Sequence, residues 1–150
     1  MEGKIKWKSK MAFDVENRGI KSTTDATPSF GGENYGPTPK ELVLNGIAGC
    51  SAIDVVSLLT KMRSMPELFS VDIGAEKTDT TPSYFKSVHL TYNFDGQDLN
   101  NEKIIKAVDL SMTRYCGVSY MISKCCKITY DIKVKGSVIH NGEAAFAEVL

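Results

Sequence analysis

Thiols are the reactive inventory of this chain: Cys50, Cys116, Cys125 and Cys126 are its four cysteines. The sequence has no Gly-rich phosphate loop, no Cys-x-x-Cys and no Gly-x-Ser-x-Gly. Its two histidines are His89 and His140. His89 falls on the polar side of an alternating segment and reads as a surface histidine, while His140 lies in a tail whose pattern assigns no element. Cys116 and the Cys125-Cys126 pair lack the His/Cys spacing of a zinc site, so no metal and no cofactor is expected. An unperturbed thiol near pKa 8.5 is only about 3% ionised at pH 7, so a nucleophilic cysteine needs a cation or hydrogen-bond donors beside it. The arginines are Arg18, Arg63 and Arg114, and any of them can serve. Cys50 sits within an apolar helical segment, and Asp54 one turn later opposes its ionisation unless the carboxylate is paired. Cys116 lies between two helical segments, where amides opening the second favour a thiolate. Cys125 and Cys126 read as small buried hydrophobes, one closing a helical stripe and the other opening a strand.

The elements that must position these thiols are legible from periodicity. Ile5, Trp7, Met11, Phe13 and Val15 alternate with lysines and acids, the pattern of one half-buried strand. Asn17-Arg18-Gly19 turns the chain into a second strand from Ile20 to Ala26. Residues 27–39 are rich in Pro, Gly and Ser and read as a loop. Thr38-Pro39-Lys40-Glu41 has the spacing of a capping box, with Thr38 as cap, Pro39 at the first helical position and Glu41 reaching back. The helix that follows, Glu41 to about Arg63, is apolar nearly all round and so must be enclosed. Asn45, Gly46, Gly49, Ser51, Asp54 and Ser57 interrupt it too often for a membrane span. One sheet covers one side of such a helix, leaving the other for a second subunit, where Gly46 and Gly49 permit close approach. Two alternating strands follow Pro66, around Val71–Ala75 and Tyr84–Phe94. A helix runs from about Asn101 to Tyr115, a short one spans Val118 to Cys125, and a strand covers Ile128–Val134. The order reads as α+β with mainly antiparallel sheets.

Composition sets the class. The chain has 150 residues, 42% of them apolar, and eighteen basic side chains cancel eighteen acidic ones. That mixture excludes disorder, suits a single domain over 1–150, and is long enough to bury a core without disulfide staples. Nucleic-acid binding, which draws on a basic excess, is not expected. Met1-Glu-Gly-Lys-Ile-Lys-Trp-Lys has no apolar signal stretch, so the expectation is a reducing cytoplasm with free thiols and no membrane association.

Two blocks carry a family resemblance. Gly36-Pro37-Thr38-Pro39-Lys40-Glu41-Leu42-Val43-Leu44, followed by Ala48-Gly49-Cys50-Ser51-Ala52-Ile53-Asp54-Val55-Val56, resembles the OsmC/Ohr family of osmotically inducible and organic hydroperoxide resistance proteins. Cys116-Gly117-Val118-Ser119, before a helix and a strand, resembles the second-cysteine segment of that family. The Cys-Ser-Ala-Ile-Asp-Val-Val stretch is closest to the generic OsmC-like branch. The resemblance implies an OsmC-like α+β fold, with antiparallel sheets wrapped around two long central helices in an intertwined homodimer. It also implies a thiol-dependent peroxidase of oxidative stress defence: Cys50 attacks an organic hydroperoxide, Cys116 resolves the sulfenic acid, and an external dithiol restores both. The resemblance further implies an arginine and a glutamate that polarise the first thiol, for which Arg18 and Glu41 are the candidates. In the hydroperoxide-resistance branch that glutamate stands ten residues before the cysteine, where this chain has Lys40. Gly117 stands where a proline is common. A dimeric small-ligand-binding module and a passive redox sensor of the same fold are the other readings of these residues.

Overall fold

A computed structural model describes residues 1–147 of the chain. It divides into two compact units, Met1–Val43 and Leu44 onward.

The first unit is a three-stranded antiparallel meander, β1 (Lys4–Ser9), β2 (Ala12–Asn17) and β3 (Ile20–Thr24). The single N-terminal strand expected from the alternation is therefore two. Lys10 turns the chain at φ 47°, and its carbonyl accepts from Trp7 Nε1 at 2.9 Å. The alternation survives the turn because Trp7 pairs with Phe13 and Ile5 with Val15 on one face. That face is open rather than half-buried in the single chain, with Trp7 65% exposed. Arg18 (φ 54°) and Gly19 (φ 80°) make the two-residue β2–β3 turn; left-handed backbone suits the twist of a tight hairpin.

Asp25 then organises the loop. Its carboxylate, almost wholly buried, accepts from the amides of Ala26 (2.7 Å), Glu33 (2.8 Å) and Tyr35 (3.2 Å). A side chain at Gly36 would meet the Thr23 carbonyl at 2.0 Å, so the loop lies against β3 only because this residue has no Cβ. The capping box forms: Glu41 accepts from the Thr38 amide (2.7 Å) and hydroxyl (2.9 Å), and the Thr38 hydroxyl accepts from the Glu41 amide (3.4 Å). From it starts α1 (Pro39–Lys61).

The second unit holds a four-stranded sheet in the order β4 (Leu68–Lys77), β5 (Phe85–Asp95), β6 (Lys127–Val134), β7 (Ser137–Glu143). The sheet is mainly antiparallel, as expected, with one parallel pair, β5 and β6. Parallel neighbours require a crossover, and α2 (Asn101–Leu110) and α3 (Gly117–Ser123) supply it. The tail left unassigned by pattern contains β7, an edge strand antiparallel to β6. Asn100 caps α2 by accepting from the Lys103 amide at 3.0 Å. Alternate residues of β5 (Val88, Leu90, Tyr92, Phe94) meet Ile104, Ala107 and Val108 of α2 and Ile47, Val55 and Leu59 of α1 in one core. The opposite stripe of α1 is open in the single chain: Ile53 is 72% exposed, and nothing lies within 4 Å of a Cβ placed at Gly46 or Gly49.

Candidate functional site

Two cysteines 66 positions apart meet in the second unit. Cys50 and Asp54 lie one helical turn apart on α1, and Cys116 immediately precedes α3. Their two sulfurs and a carboxylate oxygen all lie within 4.8 Å of one another. The second sulfur is delivered by a local departure from regular helix. After α2 the chain makes a π turn over Ser111–Tyr115, and the Cys116 amide donates to the Ser111 carbonyl, five residues back, at 3.0 Å. The helix expected to run on to Tyr115 thus ends in this turn, with Met112 buried and Tyr115 exposed.

The thiols are unequal. Cys50 is half-buried and Cys116 fully buried. Burial pushes the Cys116 thiol up to about 11. The Ser119 hydroxyl and amide pull it down, and the neighbouring Cys50 raises it again. The Ser119 amide donates to the Cys116 sulfur at 3.3 Å. The buried Ser119 hydroxyl has no well-aligned partner, so it favours the thiolate only as a nearby dipole. Cys116 therefore keeps its proton at neutral pH, and Cys50 is the more exposed of the two thiols.

A chain of hydroxyls underlies the pair. Ser51 Oγ lies 2.5 Å from Tyr92 Oη and 2.8 Å from Ser111 Oγ, and Ser111 Oγ lies 3.2 Å from Asp54 Oδ2. A carboxylate only accepts, so Ser111 donates to Asp54; Ser51 then donates to Ser111, and Tyr92 to Ser51. Each hydroxyl gives one hydrogen bond and takes the next, which leaves none of the three unpaired in the core. Burial raises the pKa of Asp54, and the Ser111 hydrogen bond offsets part of that rise. Burial likewise holds the Tyr92 phenol far above its ordinary range, so it keeps the proton it donates. Sequence reasoning singled out Asp54 only as an obstacle and did not reach Ser51, Ser111 or Tyr92. The helical spacing of Cys50 and Asp54 was the one available signal.

The other singled-out residues are placed as follows. Arg18 stands at the tip of the β2–β3 hairpin and Glu41 is engaged at the helix cap, both in the first unit. Arg63 lies just past α1 with φ 52°. Arg114 stacks on the Tyr115 ring at 5.5 Å and borders, with Cys116, Tyr120 and Phe146, an open cavity of about 350 Å³. Tyr120 and Phe146 meet there edge to face at 5.7 Å. His89 behaves as expected, on the exposed side of β5 with Thr129 at 2.8 Å and Asp131 at 3.5 Å. His140 lies on β7, 3.3 Å from Asp109, which also accepts from Tyr130 at 2.7 Å. Cys125 corrects an expectation: it lies in the turn after α3 and is exposed, not a buried hydrophobe. Cys126 is half-buried and packs on the core.

Comparison with known proteins agrees with this fold. The OsmC-like protein family matches residues 31–131. Protein YhfA of Escherichia coli K12 is 33% identical over 135 residues, covering 89% of this chain and 98% of that protein. Among solved structures, a hypothetical protein from Aquifex aeolicus superposes with a TM-score of 0.76 at 23% identity, covering 89% of this chain and 96% of its own. An organic hydroperoxide resistance protein OsmC from Legionella pneumophila superposes with a TM-score of 0.67 at 20% identity, with 89% and 96% covered. With its α+β fold and a family match across both cysteine-bearing blocks as far as β6, the chain belongs to the OsmC-like family.

Proposed function

We propose that this protein is a thiol peroxidase that reduces organic hydroperoxides through Cys50 and Cys116. The observation that carries the reading is the approach of the two sulfurs to within 4.8 Å, one accessible and one buried and protonated. The Cys50 thiolate attacks the terminal peroxide oxygen; the O–O bond breaks, and the departing alkoxide takes a proton to become an alcohol. The product at Cys50 is a sulfenic acid. The Cys116 sulfur then attacks the sulfenic sulfur, forming the S–S bond and releasing water. An S–S bond needs about 2.05 Å, so the two sulfurs, within 4.8 Å in the reduced protein, must draw together to form it. An external dithiol restores both thiols and leaves as a disulfide. Apolar surroundings at α1 and the Tyr120–Phe146 wall beside Cys116 suit an organic peroxide better than hydrogen peroxide.

The same reading includes an intertwined homodimer located in the cytoplasm, with the two units of each chain forming one domain. The open apolar stripe of α1 and the open face bearing Ile5 and Trp7 support an obligate partner, since exposed apolar area of that extent marks an interaction surface. Arg18 and Glu41 are the polarising candidates that the family resemblance gives, Glu41 being already engaged in capping α1, with Arg114 as the alternative cation on the cavity it shares with Cys116. Steady-state turnover of cumene hydroperoxide with dithiothreitol tests the function: the expected result is catalytic consumption of peroxide that saturates with substrate. A single stoichiometric oxidation that then stops would favour a redox sensor, and no thiol consumption would favour a binding module.

A further inference from the structure

We propose that in the reduced protein Cys50, Asp54 and Cys116 form a binding site for Zn²⁺, with the fourth position open to solvent or a small ligand. The proposal rests on the geometry of three side chains and does not require peroxide turnover. In a tetrahedral zinc site with bonds of about 2.3 Å to sulfur and 2.0 Å to oxygen, ligand atoms stand about 3.5–3.8 Å apart. Here all three lie within 4.8 Å before any metal draws them in. Cys50 and Asp54 occupy positions i and i+4 of α1, a spacing that puts two ligands on one helix face and leaves the third to come from elsewhere. The π turn supplies that third ligand.

The carboxylate is the feature that peroxide chemistry leaves unexplained. A negative group beside two thiols opposes the ionisation a peroxidatic cysteine needs. Yet Asp54 is held there by the Ser111 hydroxyl at 3.2 Å. A divalent cation eases the conflict, because its two positive charges offset two of the three negative charges that two thiolates and a carboxylate bring together. Two sulfurs with one oxygen match zinc among the common divalent metals, since magnesium and calcium take oxygen ligands. The surroundings also supply the outer hydrogen bonds that fix ligands in place: Ser111 donates to Asp54, and the Ser119 amide to the Cys116 sulfur. Binding converts two thiols to thiolates and so releases two protons to solvent. Among the described residues this is the group of three potential ligands that converges; the Cys125-Cys126 pair has no such third partner.

Cobalt is the probe. The reduced C125S/C126S protein, kept free of oxygen, is titrated with Co²⁺ and then with Zn²⁺ against a chromophoric chelator. The expected result is one Co²⁺ per chain, with a thiolate-to-cobalt charge-transfer band and the intense visible bands of tetrahedral cobalt, all lost as Zn²⁺ displaces it. Cys50→Ser and Cys116→Ser should each weaken Zn²⁺ binding by at least about 100-fold. Asp54→Asn, which leaves both thiols in place, should weaken it by about 10-fold or more. Circular dichroism establishes that each variant is folded. Absence of the charge-transfer band would overturn the proposal, as would Asp54→Asn binding as tightly as the parent. Peroxide turnover is measured separately on the metal-free protein, so failure of the zinc site and failure of the peroxidase reading are distinct results.

Discussion

The chain carries two pairs of cysteines, and they differ in every respect that governs reactivity. Cys125 and Cys126 are neighbours in sequence, yet one faces solvent from a turn and the other packs against the core. Cys50 and Cys116 are distant in sequence, yet their sulfurs share one site with a carboxylate. The second arrangement is built from three pieces of backbone: a helix made apolar enough to be a core element, a π turn that redirects the chain, and a short helix that Cys116 caps. Beneath it runs a completed chain of hydroxyls from Tyr92 to Asp54. Adjacency along the chain therefore says little about thiol chemistry; what matters is whether the fold spends polar groups on holding the sulfurs.

Substitution separates the pairs most sharply. Cys50→Ser should lower hydroperoxide turnover by at least about a thousandfold, the scale expected when a nucleophile is lost, whereas C125S/C126S should stay within about twofold of the parent. A large loss in the second variant would erase the distinction between the pairs. Next in size is Ser51→Ala. It removes the middle of the hydroxyl chain and leaves the buried Tyr92 and Ser111 groups each short of a partner. The expected cost is about 1–3 kcal/mol, read as a Tm lower by several degrees. An unchanged Tm would mean that the polar floor contributes nothing to the site.

The inequality within the first pair gives a smaller effect, in pH. The folded-state pKa of Cys116 is raised to about 11, above the ordinary thiol value of 9.0, so the native state holds this proton more tightly than the unfolded chain. Below the ordinary value both states are protonated and stability is unaffected; as pH rises from about 9 to 11 the unfolded chain ionises first and stability falls. The difference in unfolding free energy between the parent and Cys116→Ser should therefore shrink by about 1–2 kcal/mol across that window, measured by urea unfolding. A difference that is flat with pH would contradict the assignment of Cys116 as the buried thiol acid. The smallest effect separates capping from catalysis at Glu41. Glu41→Gln keeps an acceptor for the Thr38 groups, so if capping is its whole role turnover should stay within about twofold. A drop of a hundredfold or more would assign Glu41 to the reaction.

Much of this fold was legible because burial writes a period into the sequence. The alternation of Val88, Leu90, Tyr92 and Phe94 marked β5, and Thr38-Pro39-Lys40-Glu41 marked the start of α1. Where the period carries no information, pattern misled. The apolar alternation runs unbroken through the β1–β2 turn because both strands show the same face, so the hairpin read as one strand. The edge strand β7 is half polar, and little in Ser137–Glu143 distinguishes it from a loop. The one parallel pair, β5 and β6, was implicit in the long helical connection between them, and the mainly antiparallel order read from the pattern holds for the other pairs. For the candidate site, family resemblance pointed to Cys50 and Cys116, which the fold brings together. The hydroxyl chain was out of reach, because Ser51, Tyr92 and Ser111 are isolated polar residues in apolar stretches whose meeting depends on tertiary packing and on a π turn that no local signal announced.

The central claim is that Cys50 and Cys116 join when peroxide arrives, and one measurement tests it most directly. Reduced protein is treated with one equivalent of cumene hydroperoxide, quenched with an alkylating agent and mapped by peptide mass spectrometry without reduction. The account predicts a single new linked species, the Cys50 peptide bonded to the Cys116 peptide within one chain, with Cys125 and Cys126 alkylated as free thiols. Recovery of Cys50 and Cys116 as free thiols, or of peroxide-driven oxidation confined to Cys125 and Cys126, would contradict it.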